Sequence, residues 1–173
     1  MTTSSLSLAD PRIATIAPAD WKKERNRQTI QGLVDGFSTQ DIEGIMALFV
    51  DDAVYCDILG KGLRGDEYHG KAAIRQAIVR QFDLSGQHTF VDAKIMIEGD
   101  VAFASWTMLI GDPADPRAAR FEGIDEFAFD LDGQVTLKKA WLKGQPRLRR
   151  TLLAHNPAAL FRHLGYSLKS WGR

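Results

Sequence analysis

The sequence predicts one α+β domain, with helices laid on one face of a curved antiparallel sheet. Two helical periods precede any strand, a third helix follows the first short strand, and four long strand-like runs then succeed one another between turn signals. At 173 residues, 45% of them apolar, the chain is long enough for one sizeable core and too short for two ordinary domains.

Residues 1–19 are rich in Ser, Thr and Ala, carry Pro11 and Pro18 and show no sustained period, so they read as a flexible arm. From Asp20, a plausible N-cap, Ile30, Leu33, Val34 and Phe37 fall on one helical face. After Ser38-Thr39-Gln40-Asp41, the spacing repeats at Ile42, Ile45, Met46 and Phe49, giving a short second helix that Asp51-Asp52 ends. Ala53 to Ile58 is a short strand, followed by a loop holding Gly60, Gly62 and Gly65. The third helix presents Ile74, Ala77, Ile78 and Phe82 inward, with Arg75 and Arg80 toward water.

Strands are expected at about 88–97, 101–110, 119–130 and 134–143. Gly99-Asp100, a loop with Pro113 and Pro116, and the hairpin signal Asp132-Gly133 divide them. Residues 20–145 thus form the domain, and 146–173 a basic extension in which Asn156-Pro157 opens a short amphipathic helix carrying Leu160, Phe161 and Leu164. That helix can cover the sheet, close a pocket mouth or meet an anionic partner.

Net charge is zero and the pI is about 6.9, which argues against a nucleic-acid coat or an anionic-membrane binder. The charge is unevenly spread, since residues 133–173 hold nine Lys or Arg and no Asp or Glu. A single cysteine, Cys56, excludes an internal disulfide and a cysteine-based zinc cluster. The start lacks the charge and apolar run of a secretory signal, and no window is long and apolar enough to span a membrane, so a cytoplasmic protein is expected.

Candidate chemistry begins in the run 121–129, where Phe121, Gly123, Asp125, Phe127 and Phe129 share one strand face. A carboxylate in an aromatic row is destabilised by desolvation, so it either holds a proton, and can then donate to a developing oxyanion, or finds a partner. A backbone amide, an arginine or a bulge turning Asp125 outward would satisfy it without chemistry. In Tyr55-Cys56-Asp57, Tyr55 and Asp57 share a face at a strand end. Asp57 is a candidate general base and Tyr55 a candidate donor, although Asp57 could equally cap the following turn. Trp106 and Trp141, inside strands, suit the walls of an apolar pocket or simple core packing. His69, at the end of the glycine loop, is the histidine best placed to titrate near a pocket, or is an ordinary surface residue. His88, His155 and His163 show no metal-ligand spacing, and neither a metal nor another cofactor is expected.

The stretch from Asp41-Ile42-Glu43-Gly44-Ile45-Met46-Ala47-Leu48-Phe49 through Asp57, followed by Gly70-Lys71-Ala72-Ala73-Ile74, resembles the opening of the SnoaL-like and ketosteroid isomerase-like families of the nuclear transport factor 2-like superfamily. Gly99-Asp100-Val101-Ala102-Phe103-Ala104-Ser105-Trp106-Thr107, then Gly123 to Phe129 and Gly133-Gln134-Val135, are similar in order and spacing, so the resemblance covers about residues 24–143. It implies a cone-shaped sheet around one pocket, and commonly a homodimer through the sheet face. It also implies that Asp57 occupies the place of the proton-shuttling aspartate of ketosteroid isomerases and Asp125 that of their protonated oxyanion-hole aspartic acid, an arrangement already described for that enzyme. The tyrosine of that site falls on Leu33, so one donor is missing. The Arg and Asp of the related epoxide hydrolases fall on Trp106 and Met108, which sets that reaction aside.

The expected function is a cofactor-independent isomerase, lyase or cyclase. It acts on a small, mainly apolar, ring-containing molecule through Asp57, Asp125 and Tyr55, with Trp106, Phe127, Trp141, His69, Leu33 and Phe121 around the ligand. A non-catalytic binding or assembly module is the alternative. An Asp125 buried near Asp57 inside a cavity favours the enzyme, and a salt-bridged or solvent-facing Asp125 decides for the module.

Overall fold

The computed structural model describes residues 18–59, 64–144, 148, 150–152, 154 and 156–163. Residues 1–17 of the expected arm over 1–19, and Gly60, Gly62, His155 and Leu164, lie outside the described residues.

Helix α1 spans Pro18–Thr39, starting two residues before the expected cap, and buries Ile30, Leu33 and Phe37. Helix α2 is shorter than its spacing predicts: it runs Ile42–Ala47, with the Asp41 side chain accepting from Gly44 N at its start. Phe49 belongs instead to strand β1, Phe49–Cys56, which includes Asp51-Asp52. Val135 N donates to Leu48 O at 2.8 Å, so the sheet captures the backbone where the side-chain period would have continued the helix. The two aspartates are exposed in the stretch where β1 shifts register, which is why they do not break the strand.

A three-residue strand, β2 (Glu67–His69), lies where a loop was expected and pairs with β1. Helix α3, Lys71–Ser85, turns Ile74, Ala77, Ile78 and Phe82 inward as its spacing predicts. Strands β3 (His88–Glu98), β4 (Val101–Ile110), β5 (Ala119–Phe129) and β6 (Val135–Leu142) follow within a residue or two of the expected limits. At the β5–β6 turn the Asp130 carboxylate accepts from Asp132 N and Gln134 N, and Gly133 takes φ 75°. Residues 148, 150–152 and 154 are helical, and helix α4 spans Pro157–Arg162 behind its Asn156 cap.

The six strands form one curved, open sheet in the order β2-β1-β6-β5-β4-β3. Every neighbouring pair is antiparallel except β1–β6. The main core lies between the helices and the inner sheet face, where Ile30, Leu33 and Phe37 meet Ala102, Phe127 and Val135. A second cluster, around Trp106, Met108, Phe121, Leu148 and Leu152, fills the other end of that face. This is the expected cone. No helix among the described residues is long and apolar enough to cross a membrane.

Candidate active site

The hollow in the cone is cut by small residues. Asp125 lies opposite Ala104 on β4 and Ala140 on β6, and Gly123 precedes it on the same face. A Cβ on Gly123 would come within 2.2 Å of the Trp106 indole, so the glycine is what lets that ring lie over β5. Phe37, Phe90, Trp106 and Phe127 wall the space thus left, with Leu33 at its side.

Lys138, opposite Phe127, also points inward. Its ammonium stands 2.9 Å from Asp125 Oδ2, with the two side chains only 6% and 10% exposed. The rings of Phe37 and Tyr55 lie 5.3 Å from Nζ and that of Phe127 5.7 Å, so aromatic faces surround the charge that Asp125 neutralises. Each charge is tolerable in the interior because the other is there. Asp125 is therefore both buried on a cavity and ion-paired. Its second oxygen, Oδ1, and the Trp106 indole Nε1 are buried without a hydrogen-bond partner among the described residues.

Tyr55, fully buried beside this pair, donates its hydroxyl proton to Gln81 Oε1 at 2.9 Å. Burial first, then the charges of Asp57 and Asp125, push the phenol well above its ordinary value, so it remains a neutral hydroxyl. Gln81, Ile58 and Met108 separate this lobe from a second, lined by Asp57, Leu84, Leu148 and Leu152. Asp57 is 4% exposed. One of its carboxylate oxygens accepts from Leu59 N at 3.3 Å, so it caps its own turn while facing the lobe. Its backbone is pinned by Asp57 N donating to Asp66 O and Asp66 N to Leu59 O. Gly65, at φ 78°, passes so close to the Asp57 carbonyl that no Cβ would fit.

Both lobes are narrow, each a cavity of ≈30 Å³. A ring-sized ligand must displace side chains. Met108, unbranched and between the lobes, is the most adaptable of them.

Of the expected ligand contacts, Leu33, Trp106 and Phe127 line the first lobe. Three others do not line either lobe. Trp141 is 42% exposed on the outer face, opposite Ile124 and beneath the Lys139 ammonium at 4.5 Å, because strand alternation sends 141 away from 138 and 140. His69, on the edge strand, is exposed and 3.7 Å from Glu67. Phe121 faces inward but packs in the second cluster. Lys138 and Gln81 were missed. Two adjacent lysines in a strand oblige one to face inward, and Gln81 continues the Ile74–Ile78 face of α3; both signals were present in the sequence.

Residues 30–138, well over half of the chain, match the family model of the SnoaL-like domain. The chain belongs to the SnoaL-like family. Solved structures similar to this SnoaL-like protein include a candidate polyketide cyclase from Xanthomonas campestris pv. campestris, at TM-score 0.59 and 17% identity, covering 73% of this chain and 96% of that one. TerC co-crystallised with polyporic acid aligns at TM-score 0.60 and 20% identity, over 74% and 98% of the two chains. An epoxide hydrolase of the LEH-like type from M. tuberculosis aligns at 0.55 and 17%, over 81% and 97%. At such identities these likenesses show the fold. No curated protein matches the sequence.

Proposed function

We propose that this SnoaL-like protein is a cofactor-independent enzyme of isomerase, lyase or cyclase type, acting on a small, mainly apolar, ring-containing molecule. The observation that carries the reading is the placing of two buried carboxylates, Asp57 and Asp125, on adjoining apolar lobes. The Asp57 carboxylate takes a proton from the carbon next to a carbonyl, the electron pair moves onto the carbonyl oxygen, and the proton returns at another carbon or to a leaving hydroxyl. Lys138 gives the site an ammonium donor in a chain that lacks the tyrosine, and its pair with Asp125 stands in for a protonated aspartic acid.

Deuterium uptake by cyclic ketones such as 2-tetralone in heavy water, followed by NMR, tests this without knowledge of the natural substrate. Wild-type protein is expected to accelerate uptake and Asp57→Asn to lose about 100-fold or more. Unchanged uptake in the variant would remove Asp57 from the role.

The Asp125–Lys138 pair also favours a second reading, a binding module whose buried charges only orient a ligand. Binding without any proton exchange across such ketones is its signature. We place the protein in the cytoplasm, where a free, buried Cys56 is at ease.

We further propose a homodimer through the outer sheet face, where Met96, Phe103, Ile124 and Trp141 are exposed together. Light scattering should give twice the chain mass, and Trp141→Glu a monomer. A wild-type monomer at high concentration would contradict it.

A further inference from the structure

The polar groups left open inside the first lobe restrict what can lie there. This step rests on the reading of the lobes as a small-molecule site. A pure hydrocarbon would leave Asp125 Oδ1 and Trp106 Nε1 as they stand among the described residues, without partners. A carboxylate would enter a space that already holds Asp125 beside one ammonium, with Asp57 facing the adjoining lobe, and little water to screen the repulsion. An amine cation would meet Lys138. What remains is a neutral molecule that both accepts and donates.

Spacing narrows the class further. Lys138 has three N–H donors and needs one for Asp125 Oδ2, which it reaches at 2.9 Å. Asp125 Oδ1, on the same carboxylate, is an open acceptor. Donor and acceptor therefore stand side by side on one ion pair, and the complementary ligand carries its acceptor and donor on neighbouring atoms. The Trp106 indole, on the next inward position of β4 from Ala104, lines the same lobe and carries a second buried donor. Phe37, Phe90 and Phe127 supply faces for a ring.

We infer that the site takes a neutral ring compound bearing a carbonyl and a hydroxyl on adjacent carbons, its carbonyl oxygen accepting from Lys138 and its hydroxyl donating to Asp125. Such a compound has an acidic C–H on its hydroxyl-bearing carbon, next to the carbonyl, the position from which Asp57 chemistry starts.

Calorimetric titration of the full chain with phenacyl alcohol, acetophenone and benzoate tests the class. Phenacyl alcohol is expected to bind about tenfold tighter than acetophenone, which lacks the hydroxyl, with benzoate weakest. The Asp125→Asn/Lys138→Met double variant replaces the pair by neutral side chains of similar volume, which buried sites often tolerate. It should abolish the preference for phenacyl alcohol over acetophenone and weaken both, since each carbonyl loses the Lys138 donor. Acetophenone binding as tightly as phenacyl alcohol, or benzoate binding tightest, overturns the inference and leaves the small-molecule site standing. Failure of all three probes to bind folded wild-type protein overturns both. The wild-type ranking decides the matter even if the double variant does not fold.

Discussion

Burial holds the His88 imidazole below its ordinary value of 6.5, against the smaller, opposing effect of the Gly86 carbonyl that its Nδ1 meets at 3.0 Å. The ring packs against Phe82 and Phe90, and its Nε2 has no partner among the described residues. The unfolded chain takes up a proton near pH 6.5 while the folded one resists it, so stability is full above that pH and declines as pH falls below it. Urea midpoints at pH 7.5 and 5.5 should show the loss, and His88→Leu should flatten the difference. An equal slope in both proteins would assign the pH dependence elsewhere. Single-residue legibility followed strand alternation wherever it was applied. It placed Asp125 and Phe127 on the inner face from their own strand. Applied to β6 it would have found Lys138 and sent Trp141 outward, but partner strands and register are tertiary facts, and without them Trp141 read as a pocket wall.

Among the elements, α4 is fastened to α3 by one carboxylate. Asp83 accepts from Arg162 Nε at 3.2 Å and lies 2.6 Å from His163 Nε2, while Asn156 Nδ2 donates to Asp83 O at 2.7 Å. The Arg162 guanidinium, and then His163, hold the Asp83 carboxyl below its ordinary 3.8. That contribution is present above about pH 3.8 and lost as pH falls further. Upstream, Leu148 and Leu152 close the second lobe beside Asp57. In Asp83→Asn, hydrogen exchange is expected to quicken first over residues 156–163, with the sheet amides unchanged; uniform quickening would mean that the clasp supports the whole fold instead. Long elements were readable because eight or more residues of one period outweigh any local exception. The α2–β1 boundary and β2 were not, since Val135 and the β1 backbone impose them from a distance.

At the scale of the molecule, one curved sheet keeps two kinds of surface apart. Its inner face holds the lobes, the carboxylates and Lys138, and its outer face holds Ile124, Trp141 and the Lys139–Glu126 pair. The order of helices and strands made that architecture legible, because three amphipathic helices and a run of strands have few ways to share one core. Which face is hollow depended on small residues, Gly123, Ala104 and Ala140, that carry no chemical signal of their own. The tryptophans report the answer directly. A nitrogen–proton NMR correlation spectrum resolves their indole signals, and Trp106→Phe and Trp141→Phe variants assign the two that matter. On titration with phenacyl alcohol the Trp106 signal is expected to shift while that of Trp141 stays in place; movement of Trp141 with Trp106 unchanged would put the ligand on the wrong side of the sheet and contradict the site.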